Sequence, residues 1–131
     1  MSGLTIFHNP RCSKSKCALD FLEEQRKQEG FHLEVVQYQK DPPSRQVIQQ
    51  LADFLGLTAK DELTKPWDLL MRPEAKNKVN SWNDAYDLLE KNPALLERPF
   101  VIDWDQRKAA LGRPELSAIQ ELVEEHQKLT K

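Results

Sequence analysis

The sequence predicts an α/β fold: a small mixed sheet built from a βαβ unit and a ββα unit, with a helical insertion between the halves. Three observations carry this. Leu4 to Tyr38 reads as strand, helix, strand with short connections, which implies a parallel pair and a right-handed crossover. Phe100 to Leu111 reads as a hairpin followed by a helix. The stretch between them carries helical spacing and proline-rich breaks, without strand alternation.

Each element has a local cause. Strand one is Leu4 to Phe7, and Asn9-Pro10 breaks it. Helix one spans about Ser13 to Gln28 and stops near Gly30, with Cys17, Ala18, Phe21 and Leu22 at helical spacing. Strand two, Leu33 to Tyr38, is rich in β-branched and aromatic residues. Asp41-Pro42-Pro43-Ser44 is a turn, and Ser44 caps a second helix whose stripe is Val47, Ile48, Leu51, Ala52 and Leu55, closed by Gly56. Short helical pieces follow over Thr58 to Leu63 and Pro66 to Met71. Asp84 to Lys91 is helical, with Ala85, Leu88 and Leu89 inward, and Pro93 ends it. Strand three is Phe100 to Trp104, Asp105-Gln106-Arg107 turns, and Lys108 to Leu111 returns. Arg113-Pro114 starts the last helix, with Leu116, Ile119, Leu122 and Val123 on one face. His126 extends that face as a structural or solvated residue. This is the thioredoxin order of elements, so residues 1–131 are read as one thioredoxin-like domain with a helical insertion over about 44–96.

The 131 residues suit one domain with a real core. A net charge of -2 with 31% charged residues gives no footprint for nucleic acid or a membrane surface. No apolar run approaches the ~20 residues of a membrane span. Met1-Ser2-Gly3 leads straight into a strand with no signal-peptide apolar region. Two cysteines are too few for a disulfide scaffold and suit a reducing cytoplasm.

The chemistry concentrates at Cys12. A cysteine at a helix N-terminus meets unsatisfied N–H groups and the positive end of the helix dipole, which favour the thiolate. Arg11, Lys14 and Lys16 add positive charge nearby. A cysteine is often only a small buried hydrophobe, but strand, turn, Cys and helix in succession make Cys12 a candidate nucleophile. Ser15 stands where a thioredoxin-type motif has its second cysteine, and Ala18 where a phosphatase loop has its arginine. Cys12, Cys17 and the three histidines match no zinc spacing, so no metal is expected. No bound cofactor is expected either.

Cys17 is five residues on, about 140° around and ~7.5 Å up the helix, too far for a disulfide without unwinding. It shares a face with Phe21 and Leu22 and is read as core; the alternative is that the helix frays and Cys17 resolves oxidised Cys12. Without an internal resolving thiol, a Cys12 adduct needs an outside one, which points to glutathione as co-substrate or glutaredoxin as partner. The Ser15 hydroxyl is a candidate donor to the thiolate, against an ordinary first-turn serine. His8 is a candidate for tuning the thiolate by its charge, against a solvent-facing strand-end histidine. Arginine grips tetrahedral oxyanions bidentately. Arg26, Arg45 and Arg107 are read as solvated. Arg98 and Arg113 each precede a proline at an element edge, Pro99 is a cis candidate, and Arg72 lies in the inserted block.

His8-Asn9-Pro10-Arg11-Cys12-Ser13-Lys14-Ser15, together with Glu97-Arg98-Pro99 and Leu111-Gly112-Arg113-Pro114, resembles the glutaredoxin-linked arsenate reductase family. The Spx-type regulators belong to the same superfamily. The likeness covers essentially the whole chain. It implies Cys12 as nucleophile and Arg98 and Arg113 as oxyanion ligands. The family's third arginine directly follows a Leu-Leu pair; here Met71 intervenes before Arg72. Spx-type regulators often carry CxxC, whereas this chain has Ser15. The resemblance therefore implies an arsenate reductase-type oxidoreductase, in which Cys12 attacks an arginine-bound oxyanion and glutathione and glutaredoxin resolve the adduct. A thiol-disulfide reductase of unknown substrate and a redox-sensing Spx-type binding protein are the alternatives.

Overall fold

The structure, a computed structural model, describes residues 3–130. Met1 and Ser2, read above as leading into the first strand, lie outside them. The chain forms two compact units: residues 3–37 with 98–130, and residues 38–97. The insertion expected over about 44–96 falls within the second.

The first unit carries the sheet. Its strands are β1 (Leu4–His8), β2 (Leu33–Gln37), β3 (Phe100–Asp103) and β4 (Lys108–Leu111), in the order β2-β1-β3-β4. β1 pairs parallel with β2 and antiparallel with β3, and β3 with β4 antiparallel. Every residue of the central strands β1 and β3 is buried, which explains their nearly continuous apolar sequences. Two helices complete the unit, α1 (Ser13–Glu29) and α2 (Ser117–Thr130). Ala18 and Leu22 of α1 and Ile119, Leu122 and Val123 of α2 share one apolar cluster with Leu4, Ile6 and Val101 of the sheet. This is the thioredoxin-like α/β arrangement that the order of elements predicts.

Local signals acted as expected in most places. Gly30 ends α1 at φ 77°, a left-handed conformation that an L side chain resists, and its N–H donates to Arg26 O. Some expectations fail. The last helix begins at Ser117 rather than at Arg113-Pro114, because a residue before proline is pushed out of the helical region. Cys17 is exposed, not core. The buried stripe of α1 runs through Ser15, Ala18 and Leu22, and helical spacing turns Cys17 off that stripe. Phe21 only half joins the core.

At the far end of β3, Asp103 is fully buried and organises the hairpin turn. It accepts the N–H groups of Asp105 (3.0 Å) and Gln106 (3.3 Å), the Gln106 side-chain amide (2.5 Å) and the His126 imidazole (2.8 Å). His126 is thus structural.

The second unit is helical, with α3 (Arg45–Phe54), α4 (Trp82–Lys91) and five short 3-10 turns. Ser44 and Ser81 cap the two helices by accepting the N–H groups of Val47 and Asp84. Pro66 opens one of the 3-10 turns, as the first-turn preference of proline suggests. Arg45, read as solvated, instead ties the two helices together. It donates to Asp87 at 2.7 Å and Glu90 at 2.8 Å, and lies over the Tyr86 ring. Met71 and Leu96 form an isolated antiparallel bridge.

Candidate active site

The loop that leaves β1 is held by Asn9. Its carbonyl accepts the Cys12 N–H at 3.0 Å and its side-chain oxygen accepts the Arg11 N–H at 2.9 Å. Its own N–H donates to Ser15 Oγ at 2.9 Å. Asn9 was legible only as a strand breaker, yet its side chain and backbone shape the turn as Asx residues do. The turn delivers Cys12 to the N-cap of α1, where its carbonyl accepts the Lys16 N–H and its side chain makes no capping bond.

The Cys12 sulfur is therefore left for other partners. Arg113 Nη2 donates to Sγ at 3.0 Å, and Arg113 Nε donates to the Arg98 carbonyl at 2.6 Å. The backbone N–H of Ser15 and the side chain of Arg98 also donate to the sulfur. Burial opposes ionisation of this thiol, but those donors and the Arg113 charge outweigh it, and the pKa falls below its ordinary value. Cys12 is only 8% exposed, so the balance decides its charge in a partly dry site.

His8, at the end of β1, is buried with Nδ1 2.6 Å from Ser15 Oγ. Burial lowers its pKa from 6.5, Lys16 lowers it further, and Asp20 opposes them. A neutral imidazole fits this contact, with the direction of the hydrogen bond set by its tautomer. The Ser15 hydroxyl is thus engaged by His8 and Asn9, and Ser15 supports the thiolate through its backbone instead.

Of the residues singled out in the sequence, Cys12, His8, Ser15, Arg98 and Arg113 come together in the first unit, beside the cis Arg98-Pro99 bond. Arg113-Pro114 is cis as well. Arg11, Lys14 and Lys16 are exposed, and the cations that meet the sulfur come from the far half of the chain. Arg72 belongs to the second unit, where it pairs with Glu97 at 3.0 Å. Asp103, Asp105 and His126 are the metal-compatible group among the described residues, with ligand atoms within 4.8 Å of one another. The Asp103 carboxylate is already occupied by four donors, so the group serves the hairpin.

At a helix start, the Cys12 sulfur accepts from the side chains of two arginines, which favours its ionised form. The ArsC family model matches residues 7–122, which include all of these groups. The chain belongs to the ArsC family. An arsenate reductase of Neisseria meningitidis serogroup A is 40% identical over 115 residues, covering 87% of this chain and 93% of the relative. The solved structure of a putative arsenate reductase from Yersinia pestis is 32% identical, with a TM-score of 0.63 over 89% of this chain and 98% of its own. That of an arsenate reductase from Vibrio cholerae is 29% identical, with a TM-score of 0.64 over 92% and 98%. These two solved structures share the fold of this chain along nearly their whole length. Among the described residues of this ArsC chain, no helix is long and apolar enough to cross a membrane.

Proposed function

We propose that this protein is an arsenate reductase. Arsenate binds at Arg98 and Arg113, and the Cys12 thiolate attacks arsenic. An S–As bond forms, one arsenate oxygen leaves as water after protonation, and arsenic remains at +5. The guanidinium groups balance the oxyanion charge as this bond forms.

Glutathione then attacks the adduct through its thiolate. Two electrons pass from the two sulfurs to arsenic, arsenite leaves, and a Cys12–glutathione disulfide remains. A glutaredoxin thiolate takes the glutathione sulfur and frees Cys12. The exposed Cys17 does not share the buried stripe of α1 with the site, and the mechanism uses an external thiol. A reducing cytoplasm suits such thiol chemistry.

The single observation that carries this reading is the 3.0 Å contact between the Arg113 guanidinium and Cys12 Sγ. It makes a nucleophilic anion and an oxyanion ligand of the same spot. The test is turnover with arsenate, glutathione and glutaredoxin. Cys12→Ser is expected to lose all measurable arsenite formation, while Cys17→Ser retains it. Unchanged turnover in Cys12→Ser overturns the mechanism. Reduction of disulfide substrates with no arsenate turnover in the wild type favours the thiol-disulfide reading instead.

A further inference from the structure

Gly112 lies just past β4, on the way to α2. Its N–H donates to the Pro99 carbonyl at 2.9 Å. A methyl group on its α-carbon would stand 2.7 Å from Pro99 Cγ, 3.2 Å from Pro99 Cδ and 2.9 Å from Ile119 Cδ1. The Ile119 terminus can rotate away. The proline ring has no such freedom, since its atoms are closed onto the backbone. Gly112 is not among the glycines in the left-handed region. The position therefore needs room, not a special backbone conformation.

That room matters because of what residues 112 and 113 do together. Two hydrogen bonds clamp them to residues 98 and 99: Gly112 N–H to Pro99 O, and Arg113 Nε to Arg98 O. The second bond orients the guanidinium plane, and the fork is rigid. With Nε fixed on the Arg98 carbonyl, Nη2 of the same plane reaches the Cys12 sulfur at 3.0 Å. Any side chain at 112 pushes this segment off Pro99, and the shift passes directly to Arg113.

We infer that Gly112 is a positioning residue for the reacting thiolate: its missing side chain lets the chain close onto Pro99 and so aims Arg113 at Cys12. The inference rests on the reading of Cys12 and Arg113 as nucleophile and cationic partner.

The test follows the pH dependence of Cys12 alkylation by iodoacetamide, read on the Cys12 peptide by mass spectrometry, in the full chain without arsenate. Wild type, Gly112→Ala, Arg113→Ala and the double variant are compared, with kcat/KM for arsenate measured in parallel. Gly112→Ala is expected to move the alkylation midpoint to higher pH, in the direction of Arg113→Ala. It is also expected to lower kcat/KM by roughly tenfold or more. In the double variant, Gly112→Ala adds no further shift, since both changes act through one guanidinium. An unchanged midpoint in Gly112→Ala, or a fully additive shift in the double variant, overturns the inference. An unchanged midpoint in Arg113→Ala overturns the underlying reading of the site instead. Should Gly112→Ala not fold, Gly112→Ala/Ile119→Val keeps only the proline clash and is read in the same way.

Discussion

Cys12 and His8 show how far one side chain's charge depends on its neighbours. The thiol is buried, which by itself favours the neutral form, yet Ser15 N–H, Arg98 and Arg113 reverse that. For His8 the Asp20 carboxylate offsets too little, and burial with Lys16 lowers its pKa below 6.5. The sign of the resulting linkage is definite. The unfolded chain takes up a proton near 6.5 that the folded chain resists. Stability from this group is full above 6.5 and is lost as pH falls through that value to the folded one. His8→Asn keeps a hydrogen-bonding amide near Ser15 but does not titrate. Its urea midpoint should therefore fall less than that of the wild type between about pH 7 and about pH 5. Parallel pH profiles would refute the assignment. Cys17 is the residue whose environment the sequence misled about. Its spacing from Phe21 suggested a shared buried face, but Phe21 itself is only half-buried and the true stripe lies one residue on.

At the scale of elements, short-range signals located nearly every boundary. Ser44, Gly30, Pro66 and Pro93 mark ends where capping chemistry requires them. The network on Asp103 was not legible, because its partners Gln106 and His126 come from a turn and a helix brought together by packing. Asp103→Ala leaves several buried donors without an acceptor. It is expected to cost about 3–5 kcal/mol in urea unfolding, and Asp103→Asn clearly less. Asp103 pairs with Leu4 at the start of β1, whereas Cys12 follows the other end of that strand. The Cys12 alkylation midpoint should thus hold in any Asp103 variant that folds. A shift would reveal coupling along the sheet.

For the molecule as a whole, the site depends on strand pairing across a long gap in the chain. Cys12 and Arg113 are 101 positions apart and meet because β1 pairs with β3 and β3 with β4. Unfolding must separate them. In rising urea the Cys12 alkylation midpoint should climb toward the ordinary thiol value of 9.0 together with loss of the far-ultraviolet circular dichroism signal. A midpoint that stays low in the unfolded chain would trace the reactivity to Arg11, Lys14 and Lys16 instead. Sequence alone determined the order of elements, the cysteine at a helix start and the arginine–proline pairs. Those features follow from periodicity, turn residues and caps, which act between near neighbours. Only the tertiary structure decided which cations reach the sulfur, that the Ser15 hydroxyl serves His8 and Asn9, and that Cys17 faces solvent. Those outcomes depend on strand register and helix rotation, which distant packing sets and no local window contains.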